Sequence, residues 1–137
     1  KDVMRELKTG SGDQVPSEHF EQRELVSWFR KSYRGVRIFA IPNGGRRSIT
    51  EALRLKVEGV CAGVPDLFIP EWCLWVEMKR QKGGRVSPDQ KDWHDYLTDI
   101  GHRIIIGYGM QDAVNKIEAL RGQDNVYQKA GRAADCD

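Results

Sequence analysis

Three residues in one apolar stretch have types and spacing suited to chemistry. In "GVPDLFIPEWCLWVEMKR", residues 63–80, Asp66 follows Pro65, and Glu77, Met78 and Lys79 come ten intervening residues later. Apolar strands of this kind belong inside a protein, where charged groups are costly unless paired. Glu77 and Lys79 are two apart, so in a strand they leave the same face, about 6–7 Å apart. Trp75 shares that face, while Val76 and Met78 point the other way. If the strands on either side of "PEWC" pair, Asp66 and Glu77 come within a few ångströms. Two carboxylates so close repel, and burial worsens the repulsion. A hard divalent cation relieves both. Mg²⁺ takes oxygen ligands, usually one or two carboxylates plus substrate phosphate and water. With Lys79 beside it to orient water or stabilise charge on a phosphate oxygen, the set suits phosphodiester hydrolysis. The competing reading is an exposed same-face Glu–Lys ion pair with Asp66 as a strand-entry residue.

The elements that must position these groups follow from pattern. Ser17 can cap a helix over 17–33, with Leu25, Val26, Trp28 and Phe29 on its apolar face. Glu21 lies on the edge of that face, Glu18 on the same side, and Glu24 is turned away. "GVRIFAIPN" predicts a strand over 36–41, ended by Pro42-Asn43-Gly44-Gly45. Ser48 can cap a second helix through Glu58. Strands follow at 66–69 and 73–79, joined by Pro70-Glu71-Trp72, a turn in which Trp72 is the tryptophan expected to be exposed. Ser87-Pro88 opens a helix to Ile100, and "RIIIGY", 103–108, is a strand covered on both faces. A last helix is expected over 111–120. The order α-β-α-β-β-α-β-α predicts an α/β fold with one sheet flanked by helices. Residues 1–16 form a flexible leader, 17–121 one domain, and 122–137 a frayed polar tail.

The chain has 137 residues, 39% hydrophobic and 31% charged, which bounds it to one globular domain. No window approaches the roughly 18 apolar residues of a membrane span, and the first residues show no signal-peptide pattern. Cys61, Cys73 and Cys136 are odd in number and lack CxxC spacing, against a disulfide framework or structural zinc. His19, His94 and His102 lack metal-ligand spacing and are expected to be structural or surface residues. The net charge of +2 says little. Its distribution says more: Arg46, Arg47, Arg54 and Lys56 cluster in one place, and Lys79, Arg80, Lys82 and Arg85 in another. Basic loops flanking a carboxylate site favour a polyanionic substrate over a plain solvated surface. Arg46, Arg47, Arg80, Lys82 and Arg85 are the candidate contacts to its phosphates.

Pro65-Asp66 with Glu77-Met78-Lys79 resembles the motif of the PD-(D/E)xK nuclease superfamily. The longer string "PNGGRRSITEALRLKVEGVCAGVPDLFIP…LWVEMKRQKGGRVSPDQKDWHDYL…GHRIIIGYG" is similar to the VRR-NUC, or virus-type replication-repair nuclease, family, especially its small stand-alone phage and bacterial members. The resemblance covers roughly Ser17 to Leu120. It implies a restriction-endonuclease-like fold and Mg²⁺- or Mn²⁺-dependent DNA cleavage. By resemblance Asp66 and Glu77 are metal-binding acids, Met78 lends its backbone carbonyl and Lys79 is the catalytic lysine. The family's helix glutamate best fits Glu21, with Glu18 as second choice, otherwise a helix N-terminal charge. Gln90 matches a recurring glutamine that either serves the site or caps its helix. The resemblance further implies branched DNA such as four-way junctions as substrate, a homodimer, a cytoplasmic location, and neither nucleotide cofactor nor membrane. Two rivals stand beside this reading: a non-catalytic DNA-binding module that retains the fold, and a general or restriction-type nicking endonuclease.

Overall fold

The computed structural model describes residues 14–42 and 47–134, with side chains to residue 128. Four strands form one mixed sheet in the order β1 (Phe39–Ala40), β2 (Leu67–Ile69), β3 (Leu74–Lys79), β4 (Arg103–Tyr108). The first two pairings are antiparallel and β3–β4 is parallel. Helices α1 (Glu18–Ser32), α2 (Ile49–Val57), α3 (Pro88–Asp99) and α4 (Met110–Ala134) complete the expected order. A parallel β3–β4 pair needs a crossover, and α3 supplies it.

The sheet is two-faced because the strands alternate. Leu74, Val76 and Met78 of β3 join Leu67, Ile69 and Ile105 in a core closed by Leu25 and Phe29 of α1 and Ala113, Val114 and Ile117 of α4. On the other face stand Phe68, Trp75 and Glu77. Trp75 Nε1 donates to His102 Nδ1 at 2.9 Å, satisfying the indole in a half-buried position. Ser17 caps α1 by accepting the Phe20 amide, and Ser48 caps α2 by accepting that of Glu51. α2 buries none of its residues.

Three local expectations change. The strand expected over 36–41 is paired only at Phe39–Ala40, extended by the Ile41 amide donating to Asp66 O at 2.8 Å. Its start is used instead in a turn, where the Val36 amide bonds Tyr33 O, and Pro42 has no amide to continue the ladder. Trp72, expected to be exposed in its turn, packs edge-on against Phe29 and Tyr33, with Arg121 over its ring at 4.3 Å. The last helix does not stop near Leu120 but runs to Ala134. Beyond Leu120 Asp124 pairs across to Arg103 of β4 at 2.8 Å, and Arg121, which lies over Trp72, pairs with Asp124 within the helix at 3.1 Å. An apolar-periodicity reading does not register such a hold. The leader expected over 1–16 lies outside the described residues up to residue 13, as does the end of the tail.

Candidate active site

The β2–β3 register decides the site. Leu67 faces Val76, so Asp66, one residue before β2, stands opposite Glu77. Asp66 Oδ2 accepts the Met78 amide at 2.7 Å. The Glu77 carboxyl is hydrogen-bonded to that of Asp66. Glu77 is 1% exposed. Burial first, then the hydrogen bond and charge of Asp66, push its pKa up to about 9, against a smaller downward pull from Lys79. Glu77 therefore keeps its proton at neutral pH, beside the carboxyl of Asp66.

Lys79, 7% exposed, donates from Nζ to Gln90 Oε1 at 2.7 Å. The same Oε1 accepts the Ser87 amide at 2.9 Å, while Ser87 Oγ accepts the Gln90 amide at 3.2 Å. Capping α3 and holding the lysine are thus one arrangement: Gln90 does both.

One turn further along α3, His94 Nε2 lies 3.2 Å from Glu77 Oε1. Sequence reasoning, which places His94 as a structural or surface residue, misses this contact. The signal for it is helical spacing: Gln90, His94 and the buried Leu97 fall at i, i+4 and i+7, one face turned to the sheet. Burial, then Lys79, lowers the His94 pKa, so the imidazole is neutral at pH 7. Toward an ionised Glu77, whose oxygens only accept, its Nε2 must be the protonated nitrogen.

The two helix glutamates are placed differently. Glu18 lies within electrostatic reach of the pair: burial first, then Asp66, raise its pKa, while Lys79 lowers it. Glu21 faces deeper, on the buried stripe with Leu25 and Phe29. Its Oε1 accepts Gln81 Nε2 at 3.0 Å, and its buried Oε2 has no hydrogen-bond partner in the protein. Gly109, at φ +88°, brings its backbone against that oxygen; a Cβ there would sit 2.4 Å from Oε2. Gly109→Ala is therefore expected to destabilise by about 1–3 kcal/mol, read as a drop in the denaturation midpoint.

The basic residues lie around this end of the sheet. Arg46 falls outside the described residues. Arg47 Nη2 reaches Pro42 O at 3.4 Å, and Arg80 Nη2 reaches Val15 O at 3.2 Å. Arg80, Lys82 and Arg85 are exposed. No helix among the described residues is long and apolar enough to cross a membrane.

A family model described as the VRR-NUC domain matches residues 9–111. A solved structure named "VRR_NUC domain protein" is similar in fold, with a TM-score of 0.65 at 23% identity, covering 77% of this chain and 88% of the other. No curated protein matches the chain. Because the family match takes in every element from α1 to β4, with Asp66, Glu77 and Lys79 inside it, the chain belongs to the VRR-NUC family and carries its nuclease-type fold.

Proposed function

We propose that this protein is a Mg²⁺- or Mn²⁺-dependent DNA endonuclease that prefers branched DNA, such as four-way junctions, and works as a homodimer. The observation that carries the reading is the buried Glu77 standing opposite half-buried Asp66, with the Lys79 ammonium on the same strand face as Glu77. The donors fit a hard cation. Asp66 and Glu77 offer carboxylate oxygens side by side, and a cation between them would offset the crowding that raises the Glu77 pKa. The Met78 amide points toward Asp66, and in an extended strand its carbonyl points to the same side. Lys79 O is turned the other way, to the Gly109 amide. Among the described residues no three His, Cys, Asp or Glu side chains form a ready cage; Mg²⁺ needs only one or two, with water and phosphate completing its shell. Asp66, Glu77 and the Met78 carbonyl would hold it. Glu18 is placed better than Glu21 to act through water, because it feels Asp66 and Lys79. When bound, such an ion polarises a phosphate oxygen and lowers the pKa of a water. Lys79, oriented by Gln90, lends positive charge to the phosphate oxygens as negative charge grows there. Glu77 must give up its proton to ligate. Two symmetric copies would present two such sites to two strands of a junction.

The test is a panel of linear, nicked, flapped, splayed and four-way DNAs assayed with Mg²⁺ and Mn²⁺. Cutting concentrated on the branched members is expected. Equal cutting of all would leave a general nicking enzyme, and binding without cutting would leave a DNA-binding module. Turnover undiminished in EDTA sinks the metal dependence. Because ligation displaces the Glu77 proton, Mn²⁺ affinity should rise with pH up to about 9; titration calorimetry at pH 6, 7 and 8 checks this. His94→Leu removes the neighbour that steadies Glu77 Oε1 and should weaken Mn²⁺ binding roughly 10–100-fold, with partial recovery in His94→Gln.

A further inference from the structure

We infer that the outer face of α1 is a second phosphate-binding track, taking the DNA backbone that leads away from the carboxylate site. The inference rests on the nuclease reading and extends it to how a branched substrate is held. Arg23, Arg30 and, just past the helix end, Arg34 are spaced seven and four apart, so they fall on one face. All three are exposed, as are His19 and Lys31 beside them. Together they line an open groove floored by Val26. No ion pair among the described residues engages any of these cations. The Arg23 guanidinium lies 6.0 Å from the Phe20 ring, a contact that leaves its charge unneutralised. The helix's acids lie elsewhere: Glu21 is buried, Glu18 faces the site, and Glu24 is about a quarter-turn or more round from the arginines.

The position of the track matters as much as its charge. The helix begins at the carboxylates, where Glu18 feels Asp66 and Lys79 and Arg80 bonds Val15 O. From Arg23 to Arg34 the face extends about 16 Å, room for a few phosphates of one strand. The loop cations Arg47, Arg80, Lys82 and Arg85 lie instead in the loops that follow β1 and β3. One catalytic end flanked by two separate cationic surfaces suits DNA that leaves the site by more than one arm.

The experiment uses the full chain carrying Arg23→Gln, Arg30→Gln and Arg34→Gln together. Binding to four-way and linear duplex DNA is followed by fluorescence anisotropy in EDTA between about 50 and 200 mM salt. Each lost phosphate contact lowers the slope of log Kd against log salt by about one, so the slope on four-way DNA should fall by about 2–3. At the upper salt concentration Kd should rise by roughly tenfold or more. An unchanged slope overturns the inference. That holds even if the variant melts earlier, since Arg30 also complements the helix C-terminus and a purely structural role would move only the melting temperature. Wild-type protein that binds DNA with the full slope but cuts none of the panel defeats the nuclease reading instead, leaving the track standing.

Discussion

Lys79→Ala should lower DNA cleavage on the order of 10³-fold at saturating metal and DNA, with the fold intact. Among the described residues the ammonium is one of three buried charged or polar side chains, and it sits in the sheet face beside Asp66 and Glu77. Its hydrogen bond goes to a neutral amide oxygen, Gln90 Oε1, at 2.7 Å. It is therefore held in place without being neutralised by a tight carboxylate contact, and its charge remains available to a phosphate. Loss of a preorganised charge stabiliser in a dry site typically removes two to three powers of ten in rate, about 3–4 kcal/mol. Lys79→Met, which keeps the packed stem, separates charge from packing: it should be as inactive as the alanine variant and melt higher. Asp66→Ala should remove cleavage as completely, because it takes away one of the two acids. A well-folded Asp66→Ala or Lys79→Met variant that cuts at the wild-type rate ends the catalytic assignment.

Glu77→Gln is expected to abolish cleavage and, at neutral pH and above, to make the protein more stable. The sign follows from the proton. The folded-state pKa of Glu77 is raised to about 9 from an ordinary value of 4.5. Below about pH 4.5 both folded and unfolded states carry the proton, and burial imposes no ionisation penalty. Between there and about pH 9 the unfolded chain is ionised while the folded one must keep its proton, so stability falls as pH rises. The amide introduced by Glu77→Gln needs no proton to be neutral, and its NH₂ can donate to Asp66. The melting-temperature gain of Glu77→Gln should thus be small near pH 5, grow through pH 7 and be largest near pH 9. Mg²⁺ or Mn²⁺ should then raise the wild-type midpoint more than that of the variant, since binding to the folded state alone stabilises it. A variant that melts lower than wild type at pH 8 without metal contradicts the picture of a buried Glu77 that keeps its proton. On the proposed reading the wild-type carboxyl would lower stability where it serves function, which is common where charges must be buried to work.

Much of this was legible along the chain because the determinants are local. Serines before apolar-periodic runs mark helix starts, and Ser17, Ser48 and Ser87 each cap as read. The short "PEW" link forces the flanking strands to pair antiparallel, and ten residues between Asp66 and Glu77 then set them opposite one another. Alternation alone put Glu77 and Lys79 on one face. What the sequence did not decide was which groups from other elements join them. Glu18 and Glu21 are three apart and both lie toward the buried side; only the seating of α1 on the sheet turns Glu18 to Asp66 and Lys79 and leaves Glu21 against Gly109 and Gln81. His94 looked like any surface histidine until the crossover laid α3 over β3 and brought its ring to Glu77. The length of α4 was hidden for the same reason, since the pairs that hold its second half reach across to Arg103. Spacing within an element is fixed by backbone geometry and can be counted. Contacts between elements depend on how side chains pack over long separations in the chain, and only the folded structure supplies those.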